Sequence, residues 1–270
     1  MKKRLLLLVT LSLLLLSSCG QTVTPPPTEE EPQWEGFPFD LEVNAAFAHE
    51  TYAEDGVLVC SCYYEIPKLL PSGELNAPQQ ASVDAFHAAM DDILSGSCLF
   101  HDSLSEAALE DYAFRIATGL DWYGHYTDNM SYTTYHTPFA VSIDFAAYTY
   151  SGGAYPNYGN VCYLFDLEAG EMVSVDDIAD GNAFRSIIAE EILAKIERED
   201  LAKDYYEDYE TTVREQNEVQ YFFMEHGVIV YFGDYTLAPH AAGYPRFEIQ
   251  SEQYREVLNE RGLRLLGFIA

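Results

Sequence analysis

The stretch of strand-type sequence over residues 123–150 most constrains the fold of this chain. It is rich in Tyr, Thr, Val, Ile and Phe, the residue types that favour strands, and it predicts two long strands with a turn near Asp128 and Asn129. Apolar residues recur at helical spacing over 78–95 and 182–200. Strands interrupted by helices predict an α+β fold, a mostly antiparallel sheet with packed helices.

Turn and cap residues set the expected bounds of the other elements. Pro67 is expected to end a strand over 57–66, because proline cannot donate to a ladder, and Gly96 is expected to end the first helix. Ser103 is a candidate N-cap for a second helix that stops at Gly119. The other expected elements are strands over 158–167, 172–175, 221–225, 228–232 and 246–249, helices over 182–200 and 252–259, and a charged, solvated, mostly helical stretch over 197–218.

The N-terminus has the pattern of a bacterial lipoprotein leader. Basic residues at positions 2–4 precede a largely apolar run over 5–16, which is too short to span a bilayer and is typical of a signal peptide. The sequence LSSC at 16–19 resembles a lipobox, so residues 1–18 are expected to be removed and Cys19 to carry the lipid. We therefore expect an extracytoplasmic protein that contacts the bacterial membrane only through this anchor. An ordinary secretory signal with an incidental cysteine is the alternative.

The folded part is expected to be tethered to this anchor. Residues 19–37 are rich in Pro and Glu, which favours an extended, semi-rigid spacer. No later apolar run reaches the length of about 18 residues expected of a spanning helix. A division near residue 135 would run through sheet-type sequence, so we predict two intimately associated α+β subdomains, over 38–135 and 136–270.

The charge of the chain is strongly negative and excludes one class of partner. There are 14 Lys and Arg residues against 44 Asp and Glu residues, a formal net charge of -30. Such a surface repels nucleic-acid phosphates, so no nucleic-acid partner is expected. It attracts basic proteins and divalent cations instead.

Four cysteines remain after the lipidated one: Cys60, Cys62, Cys98 and Cys162. Outside the cytoplasm such cysteines can form disulfides, but Cys60 and Cys62 point to the same face of one strand, which is poor geometry for a mutual bridge. Bridges from that strand to Cys98 and Cys162 are one arrangement, and buried free thiols are the other. The C-x-C spacing matches no recognised zinc site, so no metal is expected.

The sequence contains no familiar catalytic fingerprint. H-E-x-x-H, G-x-S-x-G, the P-loop and G-x-G-x-x-G are all absent, and none of the seven His residues lies four residues from another. The acidic run over 197–218 lacks the alternating ligands and turn Gly of a calcium-binding loop. No catalytic residue and no cofactor is assigned, and we expect a binding role rather than an enzymatic one.

Two aromatic loops form the candidate ligand-binding surface. The first, over 148–155, places two glycines between strands, which is typical of positive φ or a close backbone approach. The second, over 231–245, is punctuated by Gly and Pro, as binding loops often are. Tyr, present 21 times, combines a large contact area with a polar tip that suits recognition; the alternative is that these rings fill a sheet face. The candidate ligand-binding residues are Tyr150, Gly152, Gly153, Tyr155, Tyr158, Tyr235, His240 and Tyr244.

These loops, taken in order with two segments between them, resemble domain of unknown function 3298. The resemblance rests on YSGGA at 150–154, FDLEAG at 165–170, VDDI at 175–178 and FGDYTLAPHAAG at 232–243. Upstream, YEIPKL at 64–69 with the helix after it is similar to the companion module, domain 4163. Together the two would cover about residues 40–265, as in the extracytoplasmic region of the lysozyme-binding anti-sigma factor RsiV.

The resemblance implies an α+β fold and a role at the cell envelope. Anti-sigma signalling and deacetylation, found beside this pair elsewhere, are not expected, because no segment of the sequence corresponds to either. The leading hypothesis is a lipid-anchored binding domain for a protein or a cell-wall-derived glycan, and a basic, lysozyme-like protein is its sharpest form. A peptidoglycan hydrolase with paired carboxylates and a structural envelope module are the alternatives.

Overall fold

The structure, a computed structural model, describes residues 39–216 and 219–269. The predicted leader, the tether and Cys19 lie outside these residues. In the described part, six strands form one sheet whose spatial order follows the chain. They are β1 (Phe39–Tyr52), β2 (Leu58–Pro71), β3 (Tyr126–His136), β4 (Ala140–Tyr150), β5 (Asn157–Asp166) and β6 (Glu171–Val173).

A second sheet, of three antiparallel strands, packs against the first. Most of the helices pack there as well. Its strands are β7 (Gln220–Met224), β8 (Gly227–Tyr231) and β9 (Arg246–Gln250). The helices are α1 (Ala77–Thr118), α2 (Val175–Ile178), α3 (Gly181–Arg198), α4 (Tyr209–Glu215), α5 (Ser251–Tyr254) and α6 (Glu260–Leu265). Short 3-10 turns lie at 202–204, 240–242 and 255–257.

This arrangement confirms the predicted α+β class. Every pairing in the larger sheet is antiparallel except that of β2 with β3, which is parallel because α1 carries the chain back between them. The sheet is continuous across residues 135 and 136, and the division into subdomains there stays a prediction. Within the described residues, no helix combines the length and apolar character needed to cross a bilayer.

The turn between β3 and β4 lies nine residues later than the sequence predicts. Asp128 and Asn129 are inside β3, and the chain reverses over 137–139. The hydroxyl of Thr137 accepts hydrogen bonds from the backbone N–H groups of Phe139 and Ala140, both at 3.1 Å. This side-chain turn closes the hairpin without the Asp-Asn pair on which the prediction relied.

The two helices predicted before and after Gly96 are one continuous helix of 42 residues. Asn76 caps its start in a capping box, and Gly119, at φ 73°, ends it as predicted. Glycine weakens a helix by about 1 kcal/mol, and here tertiary packing outweighs that cost. Buried side chains on both sides of Gly96, such as Met90 and Leu104, hold the helix on the sheet.

Pro67 does not end β2, which continues to Pro71. The backbone N–H of Leu69 points away from β1 and donates to Nε2 of His87 in α1, at 3.2 Å. The backbone N of Pro67, two residues earlier, therefore faces the same edge. Because β3 pairs only with residues 60–64 of β2, proline costs no ladder bond at that edge.

The charged stretch and the C-terminal helix are shorter than predicted. Only residues 209–215 of the charged stretch form an α-helix, after a 3-10 turn at 202–204. The predicted helix over 252–259 divides into α5 and a 3-10 turn, and α6 follows it. These breaks change only the helices themselves and leave the neighbouring strands in place.

The larger sheet has two faces with different neighbours. On the α1 face, Phe86 of α1 meets Phe165 of β5 edge to face, with ring centroids 5.1 Å apart. On the opposite face, which we call the β8 face, the hydroxyl of Tyr231 in β8 donates to Asp144 at 2.7 Å. Side chains alternate between the faces along each strand, so each face carries its own candidate site.

The four cysteines are free thiols in the structure. Cys60 faces α1, with its sulfur 3.8 Å from Nδ1 of His101, whereas Cys162 lies on the β8 face, 3.6 Å from Asp144. Cys162 therefore lies on the opposite face of the sheet from Cys60 and Cys62, and the predicted bridge between Cys162 and their strand does not form. No bridge joins that strand to Cys98 either.

Candidate functional site

The two predicted aromatic loops meet beside His240, on the β8 face of the larger sheet. The His240 ring lies 5.3 Å from the ring of Tyr155, 6.5 Å from that of Tyr158 and 5.8 Å from that of Tyr235, measured between centroids. Tyr158 and Tyr235 are stacked on the imidazole, and Tyr155 is tilted against it. We call these four side chains the His240 cluster.

Three large rings of the His240 cluster are open to solvent. Tyr155 is 68% exposed, Tyr235 57% and Tyr158 49%. Tyr148, which the candidate list omitted, extends the row, because its ring lies 5.3 Å from that of Tyr158 across the β4–β5 pair. Exposed, preorganised tyrosines of this kind supply large contact area at a low entropic cost.

A carboxylate fixes the imidazole of His240. Oδ2 of Asp234 lies 2.7 Å from Nδ1 of His240, and because a carboxylate only accepts, Nδ1 carries the proton and donates. Oδ1 of Asp234 accepts from the backbone N–H of Tyr235 at 3.0 Å. The pair directs Nε2 of the imidazole away from Asp234, where it is available to a ligand.

A cavity of about 250 Å³ lies next to the pair, lined by Tyr158, Asp234, His240, Gly243 and Tyr244. Gly243 has φ 89° and ψ -171°, a conformation that is open almost only to glycine. Tyr244 closes one side, and its hydroxyl accepts from the backbone N–H of Asn160 at 3.2 Å. Burial raises the pKa of the Tyr244 phenol, so that group stays protonated near neutral pH.

Asp144 of β4 joins the two sheets on the β8 face. It is 7% exposed, and it accepts hydrogen bonds at 2.7 Å from the side-chain amide of Asn160 and from the hydroxyl of Tyr231. Burial raises the pKa of Tyr231, which keeps its phenol a donor. The loop after β8 is therefore held in place over β5.

The glycines of the first loop shape the turn and do not line the cavity. Gly152 and Gly153 have φ values of 85° and 96°, and a Cβ on Gly152 would overlap the ring of Tyr123. The hydroxyl of Tyr150 donates to the carbonyl of Gly153 at 3.1 Å. Tyr150, Gly152 and Gly153 therefore position Tyr155. The other candidates lie around the cavity or stack around the imidazole of His240: Tyr155, Tyr158, Tyr235 and Tyr244.

The most informative residue that sequence reasoning missed as a site residue is Asp234. A signal for it exists: an acidic residue precedes a His by six positions within one loop punctuated by Gly and Pro. Spacing alone does not bring the two together, because the 3-10 turn at 240–242 aims the imidazole back at Asp234.

The buried aspartates Asp128, Asp144 and Asp166 do not pair with one another, and the paired-carboxylate hydrolase stays a hypothesis. Asp128 and Asp144 lie on opposite faces of the larger sheet, and Asp166 is ion-paired with Arg261 at 2.7 Å. Asp234 is the single carboxylate residue lining the cavity beside His240 in the described part of the chain. Among the residues that the structure places, no group of three or more His, Cys, Asp or Glu side chains is arranged to hold a metal ion.

Comparison with known proteins identifies solved structures with a similar fold. Two solved structures are similar: a member of the DUF3298 family from Bacteroides fragilis NCTC 9343 (TM-score 0.64, 13% identity, 87% of this chain and 99% of that one), and a DUF3298 family protein from Pseudomonas aeruginosa PAO1 (TM-score 0.51, 14% identity, 83% and 96%). At these identities the likeness shows the fold alone. No curated protein matches the chain.

A family model gives the finer assignment. It matches residues 176–252 and is described as "Protein of unknown function (DUF3298)". The matched segment runs from α2 to α5 and includes the loop that carries Asp234, Tyr235 and His240. Residues 176–252 of this chain therefore form a DUF3298 domain.

Proposed function

We propose that this chain is an extracytoplasmic binding domain, anchored to the bacterial membrane through a lipid on Cys19, and that the His240 cluster binds a protein or a cell-wall-derived glycan. The observation that carries the proposal is the convergence of two separate loops on one exposed aromatic surface. Interfaces are enriched in Tyr at their energetic centres. The Asp234–His240 pair adds a directed polar group to that surface.

A basic protein such as lysozyme is the sharpest version of this ligand. The net charge of -30 attracts positively charged partners and accelerates their encounter. The exposed rings of Tyr155, Tyr158 and Tyr235 add faces that favour the cationic groups of Arg and Lys. Long-range charge would thus bring the partner in, and the aromatic surface would hold it.

The finer family relationship is part of the same proposal. The part of the chain upstream of the DUF3298 domain would include the companion domain 4163, and the two together, over about residues 40–265, would correspond to the extracytoplasmic region of RsiV. The motif YEIPKL at 64–69 supports this, together with the long helix α1 that follows it. The lipoprotein leader rests on the lipobox-like sequence before Cys19.

Titration of the full chain, purified in detergent, with hen lysozyme at low and at moderate salt tests the ligand. We expect saturable binding that weakens as salt rises, because screening shortens the reach of the charges. Absence of binding at either salt concentration would remove the lysozyme version. If peptidoglycan fragments also failed to bind, a structural envelope module would be favoured.

A pair of matched variants tests the surface. Tyr235→Ala removes a ring of the His240 cluster, and we expect it to weaken binding by about tenfold or more, as central interface tyrosines do. Tyr52→Ala is the control, because Tyr52 is similarly exposed, at 52%, but lies on β1. Equal losses in both variants would contradict the assignment.

The anchor is tested separately. A Cys19→Ser variant cannot accept a lipid, so we expect it to move from the membrane fraction to the soluble fraction of expressing cells. Unchanged retention in the membrane would reject lipid anchoring without touching the proposed binding surface.

A further inference from the structure

A second cavity lies on the α1 face of the larger sheet, away from the His240 cluster. Its volume is about 450 Å³, and it opens between residues 92–100 of α1 and strands β3–β5. This volume suits a small molecule. Most of its wall is apolar or aromatic, contributed by Ile93, Phe100, Met130, Phe145, Val161 and Tyr163.

A buried carboxylate forms part of the same wall. Asp128 is 6% exposed, and its two oxygens accept hydrogen bonds from the hydroxyls of Thr149, at 2.8 Å, and of Tyr64. Both donors are neutral. Within residues 39–216 and 219–269, no Lys, Arg or His lies within ion-pair distance of Asp128.

The nearest buried imidazole does not supply the missing positive charge. His101 feels the charge of Asp128, but burial outweighs it and lowers the pKa of the ring. His101 is therefore neutral near pH 7. A buried carboxylate with neutral partners alone is an expensive arrangement, because hydroxyl donors replace only part of its lost hydration.

The lining of the cavity favours a cation. None of its lining residues is basic, and Asp92 at the exposed rim adds a second negative charge. Rings from Tyr64, Phe100 and Phe145 contribute to the wall, and the faces of such rings attract ammonium groups. A ligand that matches this wall has an apolar body and one positive charge.

We propose that this cavity binds a small organic amine, with its ammonium group against Asp128 and its apolar body between α1 and strands β3–β5. The site is distinct from the His240 cluster, because the two lie on opposite faces of the sheet. A positive charge at Asp128 would form a charge-assisted hydrogen bond and complete the carboxylate's set of partners.

Phenethylamine and its neutral analogue 2-phenylethanol test the proposal. In calorimetric titrations of the full chain we expect saturable binding of the amine and a preference over the alcohol of about tenfold, the usual scale of one hydrogen bond to a charged group. Asp128→Asn keeps the shape of the side chain and should reduce that preference to near unity. Equal binding of the two probes, or no saturable binding of the amine, would overturn the proposal.

Two further variants locate the bound amine. Val161→Trp fills the mouth of the cavity and should weaken binding of both probes, whereas Asp234→Asn removes the carboxylate beside His240. If Asp234→Asn, and not Asp128→Asn, abolished the preference for the amine, the ligand would lie at the His240 cluster and the proposal would be wrong. Thermal unfolding of each variant confirms that it is folded.

Discussion

At the residue scale, the most unusual feature of the candidate site is the backbone conformation of Tyr235. Its φ is 60°, in the left-handed region that costs a residue with a Cβ about 1–2 kcal/mol. Its ring is nevertheless stacked on His240 and exposed to solvent. This bulky aromatic side chain, exposed and in a strained position, fits the proposal that Tyr235 contacts a ligand.

The strain at Tyr235 can be measured with two variants that both remove the ring. We expect the Tyr235→Gly protein to be about 0.5 kcal/mol more stable than the Tyr235→Ala protein, because relief of the left-handed strain exceeds the extra chain entropy of glycine. Urea unfolding provides the comparison. A more stable Tyr235→Ala protein would contradict the assigned conformation.

The features of the two candidate sites differ in how well the sequence predicts them. Tyr155, Tyr235 and His240 could be predicted as surface residues, because aromatic residues between Gly and Pro rarely belong to strand interiors. The bond between Asp234 and His240 could not, because it depends on the 3-10 turn that reverses the loop. Nor does local pattern reveal that Asp128 is buried, since its partners Tyr64 and Thr149 come from two other strands.

At the scale of elements, long-range packing overrides the local signals. Gly96 and the serines on either side of it are typical of a helix end, yet α1 continues through them. The hydroxyls of Ser95 and Ser97 donate to carbonyls four residues earlier, at 2.8 and 3.1 Å, so they follow the helix instead of capping a break. Pro67 likewise stays in β2 because its edge has no pairing strand.

Alanine at position 96 tests the continuous helix. Nothing lies within 4 Å of a Cβ built there, so Gly96→Ala should stabilise the protein by about 0.5–1 kcal/mol. Gly119→Ala is the matched control: its Cβ is equally free, but its φ of 73° makes the substitution destabilising. A loss of stability with Gly96→Ala would indicate that the helix is broken there.

The Tyr231 hydroxyl makes one of the hydrogen bonds that link the second sheet to the first. Tyr231→Phe removes the donor to Oδ2 of the buried Asp144, and we expect a loss of about 1–3 kcal/mol in the free energy of unfolding, since a charged acceptor is left short of a partner. Tyr63→Phe, at an exposed tyrosine on β2, provides the control and should change stability little. Similar values for both variants would refute the role of this bond.

The whole molecule combines a correctly predicted class with an unpredicted topology. Strand and helix types, and the hairpins of β5 with β6 and of β7 with β8, follow from local sequence. The parallel contact of β2 with β3 does not, because residues far apart in the chain form it and each strand reads the same in either orientation. For the same reason, the sequence does not predict which residues share a face of the sheet, and hence where the two candidate sites lie.

The charge of the whole chain also affects its stability. A net charge of -30 produces repulsion that favours expanded states, and salt screens that repulsion. We expect the thermal midpoint to rise between about 10 mM and 150 mM NaCl, where the screening length falls from about 30 Å to about 8 Å. Calorimetry in NaCl and in KCl at equal ionic strength checks this, and a falling midpoint in both salts would contradict it.

The single parallel pairing also sets an order of assembly. The β1–β2 hairpin and the β3–β4–β5 meander join neighbours in the chain, so each can form with a small loss of loop entropy. Registering β2 on β3 requires the chain to close across all of α1, and such non-local closures slow folding. We therefore expect the rate at which this protein reaches its native state to depend on how early α1 becomes helical and spans that gap.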